Sequence, residues 1–199
     1  MTLTIPTVLT LFRIALIPVL VLVWYLDYSW TNFAAALIFT VGAITDWLDG
    51  WIARRFGMYS AFGAFLDPVA DKLAVTVALF LIVQKHPTLF MAILAAVIVG
   101  REITISALRE WMAEIGERGR VKVAWVGKIK TIVQMVALIL LLYFAPIPLG
   151  DWMLPTFLVG EILLAVAAFL TLWSGWNYLV AAWPAMRGKP GAASDEKNS

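Results

Sequence analysis

The chain of 199 residues contains no cysteine, so neither a disulfide framework nor a thiolate metal site is open to it. Charge is also scarce: Asp, Glu, Lys and Arg make up 14% of the residues, against about 25% in an ordinary soluble domain. The formal net charge of +2 is too small to suggest a nucleic-acid partner. There is one histidine, His86, between Lys85 and Pro87, and it reads as a loop residue. The first 26 residues lack a basic leader and a small-residue cleavage site, and Arg13 interrupts their apolar run. They read as a retained helix rather than a secretion signal. No internal repeat is evident.

Apolar residues, in contrast, are abundant. They account for 62% of the chain, and the mean hydropathy is +0.89. So much apolar surface needs lipid to cover it, and a bilayer-spanning helix takes about 20 residues. The sequence therefore predicts an all-α, polytopic membrane protein with six transmembrane helices, near 8–26, 32–53, 64–84, 88–110, 126–144 and 154–181. Residues 1–187 would form a single membrane domain, and 188–199 ("GKPGAASDEKNS") a disordered polar tail. Ten tryptophans suit interfacial belts, with some in the core.

The turns at 27–30, 84–88 and around Pro146, Pro148 and Pro155 fall on one side, where Lys85 is the only basic residue. Arg54, Arg55, Arg118, Arg120, Lys122, Arg187, Lys189 and Lys197 fall on the other. Basic residues favour the cytoplasmic side, so both termini are expected there.

Within this apolar chain, "DWLDGWIARRFGMYSAFGAFLDPVADK" at 46–72 concentrates four aspartates. Asp46 and Asp49 close the second helix, and Asp67 and Asp71 open the third. Residues three or four apart share a helical face, and a short connection makes the helices antiparallel neighbours, so the four carboxylates should converge. Like charges at close range must protonate or bind cations. Oxygen ligands without sulfur favour a hard cation, Mg²⁺ or Mn²⁺, and four carboxylates could hold two ions, as suits phosphoryl transfer. The plainer alternative is a set of helix-end carboxylates facing water, some paired with Arg54, Arg55 and Lys72. Gly50, Ala53, Gly57 and Gly63 would let a flat ligand, or equally a neighbouring helix, approach the backbone. Arg54 is placed to grip a phosphate in a fork.

The pattern Asp46-x2-Asp49-Gly50-x2-Ala53-Arg54-x8-Gly63-x3-Asp67-x3-Asp71 resembles the signature of the CDP-alcohol phosphatidyltransferase family at all eight positions. The resemblance implies a six-helix membrane fold, usually dimeric, that moves a phosphatidyl group from CDP-diacylglycerol to an alcohol and releases CMP. It implies that Asp46, Asp49, Asp67 and Asp71 hold two Mg²⁺ ions and that Asp71 is also the base. Gly50, Ala53 and Gly63 would line the cytidine pocket, with Arg54 on the phosphates. A bacterial cytoplasmic (inner) membrane, with the site facing the cytoplasm, follows from the same resemblance.

The acceptor alcohol is addressed further along. "GREITISALREWMAE" places Arg101, Glu102, Ser106 and Arg109 in or near the membrane, the last three on one helical face, and "GKIKT" adds Lys128 and Lys130. Cations converging on a pocket suggest an anionic, phosphorylated acceptor. Alternatively, Glu102 is bundle glue and the lysines are positive-inside anchors. "IPTVLTLFRI" at 5–14, "REITISALREW" at 101–111 and "GKIKT" at 127–131 resemble the bacterial branch of the family that uses sn-glycerol 3-phosphate. Thr10 and Arg13 match that branch, and Arg13 would face the acceptor pocket; Thr4 stands where such chains usually carry Asn. A sister transferase taking inositol phosphate, phosphatidylglycerol or serine is the alternative. A divalent-cation transporter would instead need carboxylates spread across the membrane depth.

Overall fold

The structure, a computed structural model, describes residues 4–116, 125–150 and 152–187, with only the backbone of 125–128 and 149. The polar tail, Arg118, Arg120, Lys122, Lys189 and Lys197 lie outside the described residues.

Six helices follow one another: α1 (Ile5–Trp24), α2 (Thr31–Phe56), α3 (Ala61–Lys85), α4 (Leu89–Glu114), α5 (Trp125–Tyr143) and α6 (Thr156–Met186). Their ends have local causes. In α1, Pro6 sits in the first turn, where its missing N–H is harmless. Gly57 closes α2 in the left-handed conformation, φ 66°. The Ser60 hydroxyl caps α3 by accepting from Gly63 N at 2.9 Å, and Thr88 caps α4 by accepting from Met91 N at 3.1 Å. The connection between α2 and α3 is thus only residues 57–60, shorter than the 54–63 loop expected, because Gly57 and Ser60 stop and start helices abruptly.

One element departs from an all-helical chain. The proline-rich segment expected to be a plain turn forms an antiparallel hairpin, β1 (Ile147–Leu149) and β2 (Trp152–Leu154), with Pro148 opposite Met153. Gly150 adopts φ 65°, which lets the chain reverse. A two-stranded ribbon has only edges, so Pro148 forfeits no interior ladder bond.

Helices α1, α2, α4 and α6 are long and apolar enough to cross a membrane; Ile129–Tyr143 is a shorter apolar stretch. The third helix is as long but carries Asp67, Asp71 and Lys72 in its first half. Side chains such as Leu22, Phe80, Ile132, Phe169 and Trp176 point outward, an exterior that suits lipid and not water. The core combines large side chains such as Phe39, Leu79, Ile82, Met91 and Leu138 with small ones, including Ala35, Ala78, Ala95, Ala137 and Ala168, that let the helices approach. A Cβ on Gly160 would lie 2.9 Å from Leu141 Cγ and 3.2 Å from the Ala137 carbonyl, so α5 and α6 pack nearly backbone to backbone. The protein is a helical membrane protein.

Candidate active site

The site sits where α2 ends and α3 begins, with α1 packed against both. One carboxylate oxygen each from Asp46, Asp49 and Asp67 falls within 4.8 Å of the others. Asp49 is 3% exposed, and a buried carboxylate needs a counter-charge. Arg13 of α1, 2% exposed, supplies it. Its guanidinium pairs with Asp46 and with Asp49 and reaches Asp67 Oδ1 at 3.3 Å. One turn earlier, the Thr10 hydroxyl lies 3.0 Å from the Pro6 carbonyl and 3.4 Å from Asp49 Oδ2. Arg13 and Thr10 thus sit against the carboxylates and are not among the walls of the cation-lined cavity described below.

Three of the four aspartates thus converge. Asp71, one turn further along α3, stands outside that group and borders two other spaces. One is a tight apolar void of about 30 Å³ that also touches Arg13 and Asp46. The other is the cation-lined cavity.

On the outer side of the carboxylates lies a cavity of about 310 Å³ lined by Asp49, Gly50, Ala53, Arg54, Gly63 and Asp67 among others. Its floor is a chain of hydroxyls: Thr4 Oγ1 to Thr7 Oγ1 at 2.8 Å, and Thr7 Oγ1 to Ser60 Oγ at 2.8 Å. Space is tight at both glycines, most of all at Gly63. A Cβ on Gly63 would lie 2.8 Å from Thr7 Oγ1 and 2.9 Å from Ser60 Oγ; one on Gly50 would lie 3.3 Å from Arg54 Nη1. Arg54 itself is exposed, its guanidinium folded back over Gly50.

The second cavity, about 190 Å³, is enclosed by α3, α4, α5 and α6 and lined by Asp71, Arg101, Glu102, Arg109, Lys130 and Gln134 among others. Glu102 Oε1 accepts from Arg101 Nη1 at 3.0 Å and also from Lys130. Arg101 Nη2 donates to Ser174 Oγ at 2.8 Å, and the guanidinium lies 5.9 Å from the Tyr178 ring. Gly175 makes room for it, since a Cβ there would be 3.4 Å from Arg101 Cγ. Lys72, Arg101, Arg109 and Lys130 outnumber Asp71 and Glu102 on the walls, so the cavity favours an anion.

Glu102 and Arg109 share this wall as their spacing implies; Ser106 is buried, and its Oγ has no hydrogen-bond partner among the described residues. Lys128 falls in the first turn of α5, with its side chain outside the described residues. Sequence reasoning missed Gln134, Ser174, Gly175 and Tyr178. A glutamine inside an apolar helix was a usable signal. The Ser174–Gly175 pair gave only a faint one, and Tyr178 gave none. His86 lies at the opposite end of the helices, stacked on Phe144.

The donor set at Asp46, Asp49 and Asp67 is all hard oxygen, at a spacing one divalent ion could bridge, so a metal of the Mg²⁺ class fits it. Arg13 already leans on the same oxygens, so an incoming ion would share them with the guanidinium.

Known proteins resemble this chain along most of its length. It is 54% identical over 178 residues to the CDP-diacylglycerol–glycerol-3-phosphate 3-phosphatidyltransferase of Shigella flexneri serotype 5b (strain 8401), covering 89% of this chain and 94% of that protein. It is 53% identical, with the same coverage, to the enzyme of that name in Escherichia coli (strain K12). The family model described as CDP-alcohol phosphatidyltransferase matches residues 3–173, which takes in the carboxylates, the outer cavity and every wall of the cation-lined cavity named above except those on the last part of α6, and the chain belongs to that family.

Proposed function

We propose that the protein transfers the phosphatidyl group of CDP-diacylglycerol to sn-glycerol 3-phosphate, giving phosphatidylglycerol phosphate and CMP. The observation that carries this reading is the position of Asp71. It lies on the wall of an anion-favouring cavity and, through the small void, also adjoins Asp46 and Arg13 of the carboxylate cluster. A hydroxyl and a phosphorus atom could meet there.

The donor's cytidine lies against Gly50, Ala53 and Gly63, where the missing side chains leave room, with Arg54 on the phosphates. Asp46, Asp49, Asp67 and Asp71 would hold two Mg²⁺ ions, with Mn²⁺ as a substitute. Bound there, the metal would supply positive charge against the diphosphate and the CMP leaving group. Arg13 and Thr10 hold the carboxylates in register, a role their contacts favour over binding the acceptor phosphate.

Arg101, Arg109 and Lys130, with Lys128 nearby, hold the acceptor's phosphate, and Glu102 and Ser174 fix Arg101 in place. Asp71 takes the proton from the acceptor's 1-hydroxyl, whose oxygen forms a bond to the lipid-bearing phosphorus. The bond from that phosphorus to the CMP oxygen breaks, and CMP leaves with the electron pair.

In the cell this unit, residues 1–187, crosses the bacterial inner membrane six times as a homodimer. Both termini and the site face the cytoplasm, as the distribution of Lys and Arg supports. The carboxylates gather at one end of two helices, which disfavours a cation-permeation path.

The test is turnover of purified protein with CDP-diacylglycerol, Mg²⁺ and a panel of glycerol 3-phosphate, inositol phosphate, phosphatidylglycerol and serine. Glycerol 3-phosphate should be the best acceptor by a wide margin. Equal or faster turnover of another member would assign a sister activity instead.

A further inference from the structure

The cation-lined cavity contains one group that neither a phosphate nor the attacking hydroxyl accounts for. Gln134 lies one turn beyond Lys130 on α5; the two are 4% and 3% exposed and line the same wall. Its Oε1 is buried and accepts no hydrogen bond among the described residues. A buried amide acceptor left unmatched is costly, and native sites rarely keep one without a use. Arg101 Nε is likewise buried and unpartnered, but it is a donor, and a phosphate oxygen satisfies it. A phosphate dianion offers only acceptors and cannot satisfy Gln134 Oε1.

A donor carried by the acceptor molecule would satisfy Gln134 Oε1 directly, where an empty cavity leaves it to water. Glu102 already takes Arg101 and Lys130 on one oxygen, and Asp71 is committed to the attacking hydroxyl. On the reading proposed above, the acceptor carries a second hydroxyl on the carbon next to the attacking one. We infer that Gln134 is a specificity-determining residue: its Oε1 accepts a hydrogen bond from that secondary hydroxyl. The site thereby selects a phosphorylated vicinal diol over a phosphorylated simple alcohol. The same bond fixes the rotation of the acceptor's carbon chain, which turns the 1-hydroxyl toward Asp71.

The experiment compares kcat/KM for sn-glycerol 3-phosphate and for 3-hydroxypropyl phosphate, which lacks only the secondary hydroxyl. Purified full-length protein is used, with CDP-diacylglycerol and Mg²⁺. The wild-type protein should favour glycerol 3-phosphate by about 10- to 100-fold, because the analogue leaves a buried acceptor unpaired. In Gln134→Met, which keeps the shape and removes the acceptor, the ratio should fall to within about 3-fold, mainly through loss with glycerol 3-phosphate. In Gln134→Glu, which keeps an acceptor, the preference should persist while both acceptors turn over more slowly beside the added negative charge. Gln134→Leu repeats the measurement if the methionine variant does not fold, as read from its melting profile.

A wild-type ratio near one, measured with no variant at all, would overturn the assignment. So would a wild-type preference retained in Gln134→Met or Gln134→Leu. Failure of the underlying reading looks different: neither phosphate is then turned over while another alcohol is.

Discussion

The two cavities beside the carboxylates are built on opposite plans. The outer one, at Gly50, Ala53 and Gly63, is shaped by side chains that are missing, and its one cation, Arg54, is exposed. The inner one is shaped by side chains that are present and held: Lys130 is buried, and Arg101 is tied to Glu102 on its own helix and to Ser174 on α6. A cavity made by absence recognises a flat group by fit. A cavity made of tethered charge recognises an anion by attraction and geometry. The plans predict different failures: added volume should injure the outer cavity, and altered charge geometry the inner one.

The largest effect is expected at Asp71. Asp71→Asn keeps the volume and removes the base proposed above together with one of the proposed metal ligands, so kcat should fall by about 10²- to 10⁴-fold. CDP-diacylglycerol binding, measured directly without divalent metal, should change little, because Asp71 is not a wall of the outer cavity. Weakened donor binding with normal residual chemistry would move Asp71 to the other side of the comparison.

Arg101→Lys comes next. It preserves charge but cannot reach Glu102 and Ser174 together as the planar guanidinium does. The acceptor's KM should rise by about 10- to 100-fold, consistent with the loss of a charge-assisted pair, with the donor's KM unchanged. If Lys serves as well as Arg, the inner cavity works as a diffuse positive field, and its tethering carries no specificity.

Gly63→Ala tests the outer plan. The new Cβ must displace the Thr7 and Ser60 hydroxyls, which would lie 2.8 Å and 2.9 Å away. The expected penalty is about 1–2 kcal/mol, read as a lower melting temperature, together with a raised KM for CDP-diacylglycerol and an unchanged KM for the acceptor. An increase confined to the acceptor's KM would erase the distinction between the cavities.

The same contrast explains what could be read from the sequence. The outer cavity draws mostly on residues 49–67, so its glycines and aspartates lie close together in the chain and their spacing states their geometry. Helix order and approximate bounds were legible for the same reason, since each depends on a local apolar run and local caps. The inner cavity is assembled from α3, α4, α5 and α6. Arg101, Arg109 and Lys130 stood out only as charge in apolar helices, and nothing local linked them to Ser174 or Tyr178, more than 70 residues from Arg101 in sequence. Arg13 was legible as a buried charge, but its partners were not. Its neighbours across the α1–α2–α3 contact decide that it joins the carboxylates. The hairpin at 147–154 was hidden because Pro148 speaks against a strand, and it is tolerated here because both strands of the ribbon are edges.

His86 provides the smallest effect, and it should leave both cavities intact. The ring sits between α3 and α4, away from the site, with its centroid 4.5 Å from Phe144 and 4.6 Å from Phe157. Phe144 is held at φ 62°, an uncommon backbone for a bulky residue, by packing in which this stack takes part. Burial, reinforced by the neighbouring Lys85 charge and opposed by Glu161, holds the imidazole below its ordinary value of 6.5. The unfolded chain therefore takes up the proton first as the medium is acidified. The stability associated with neutral His86 is complete above pH 6.5 and is lost as the pH falls through the folded-state value. Replacing His86 with Phe keeps a ring in the stack and removes the titration. Melting curves in detergent should then show the variant gaining on the wild type on acidification from about pH 7.5 to about pH 5, by on the order of 1 °C. Turnover near neutral pH should be the same for both. A gap of the opposite sign would mean that protonated His86 is the form the fold prefers, drawn toward Glu161 rather than repelled by Lys85.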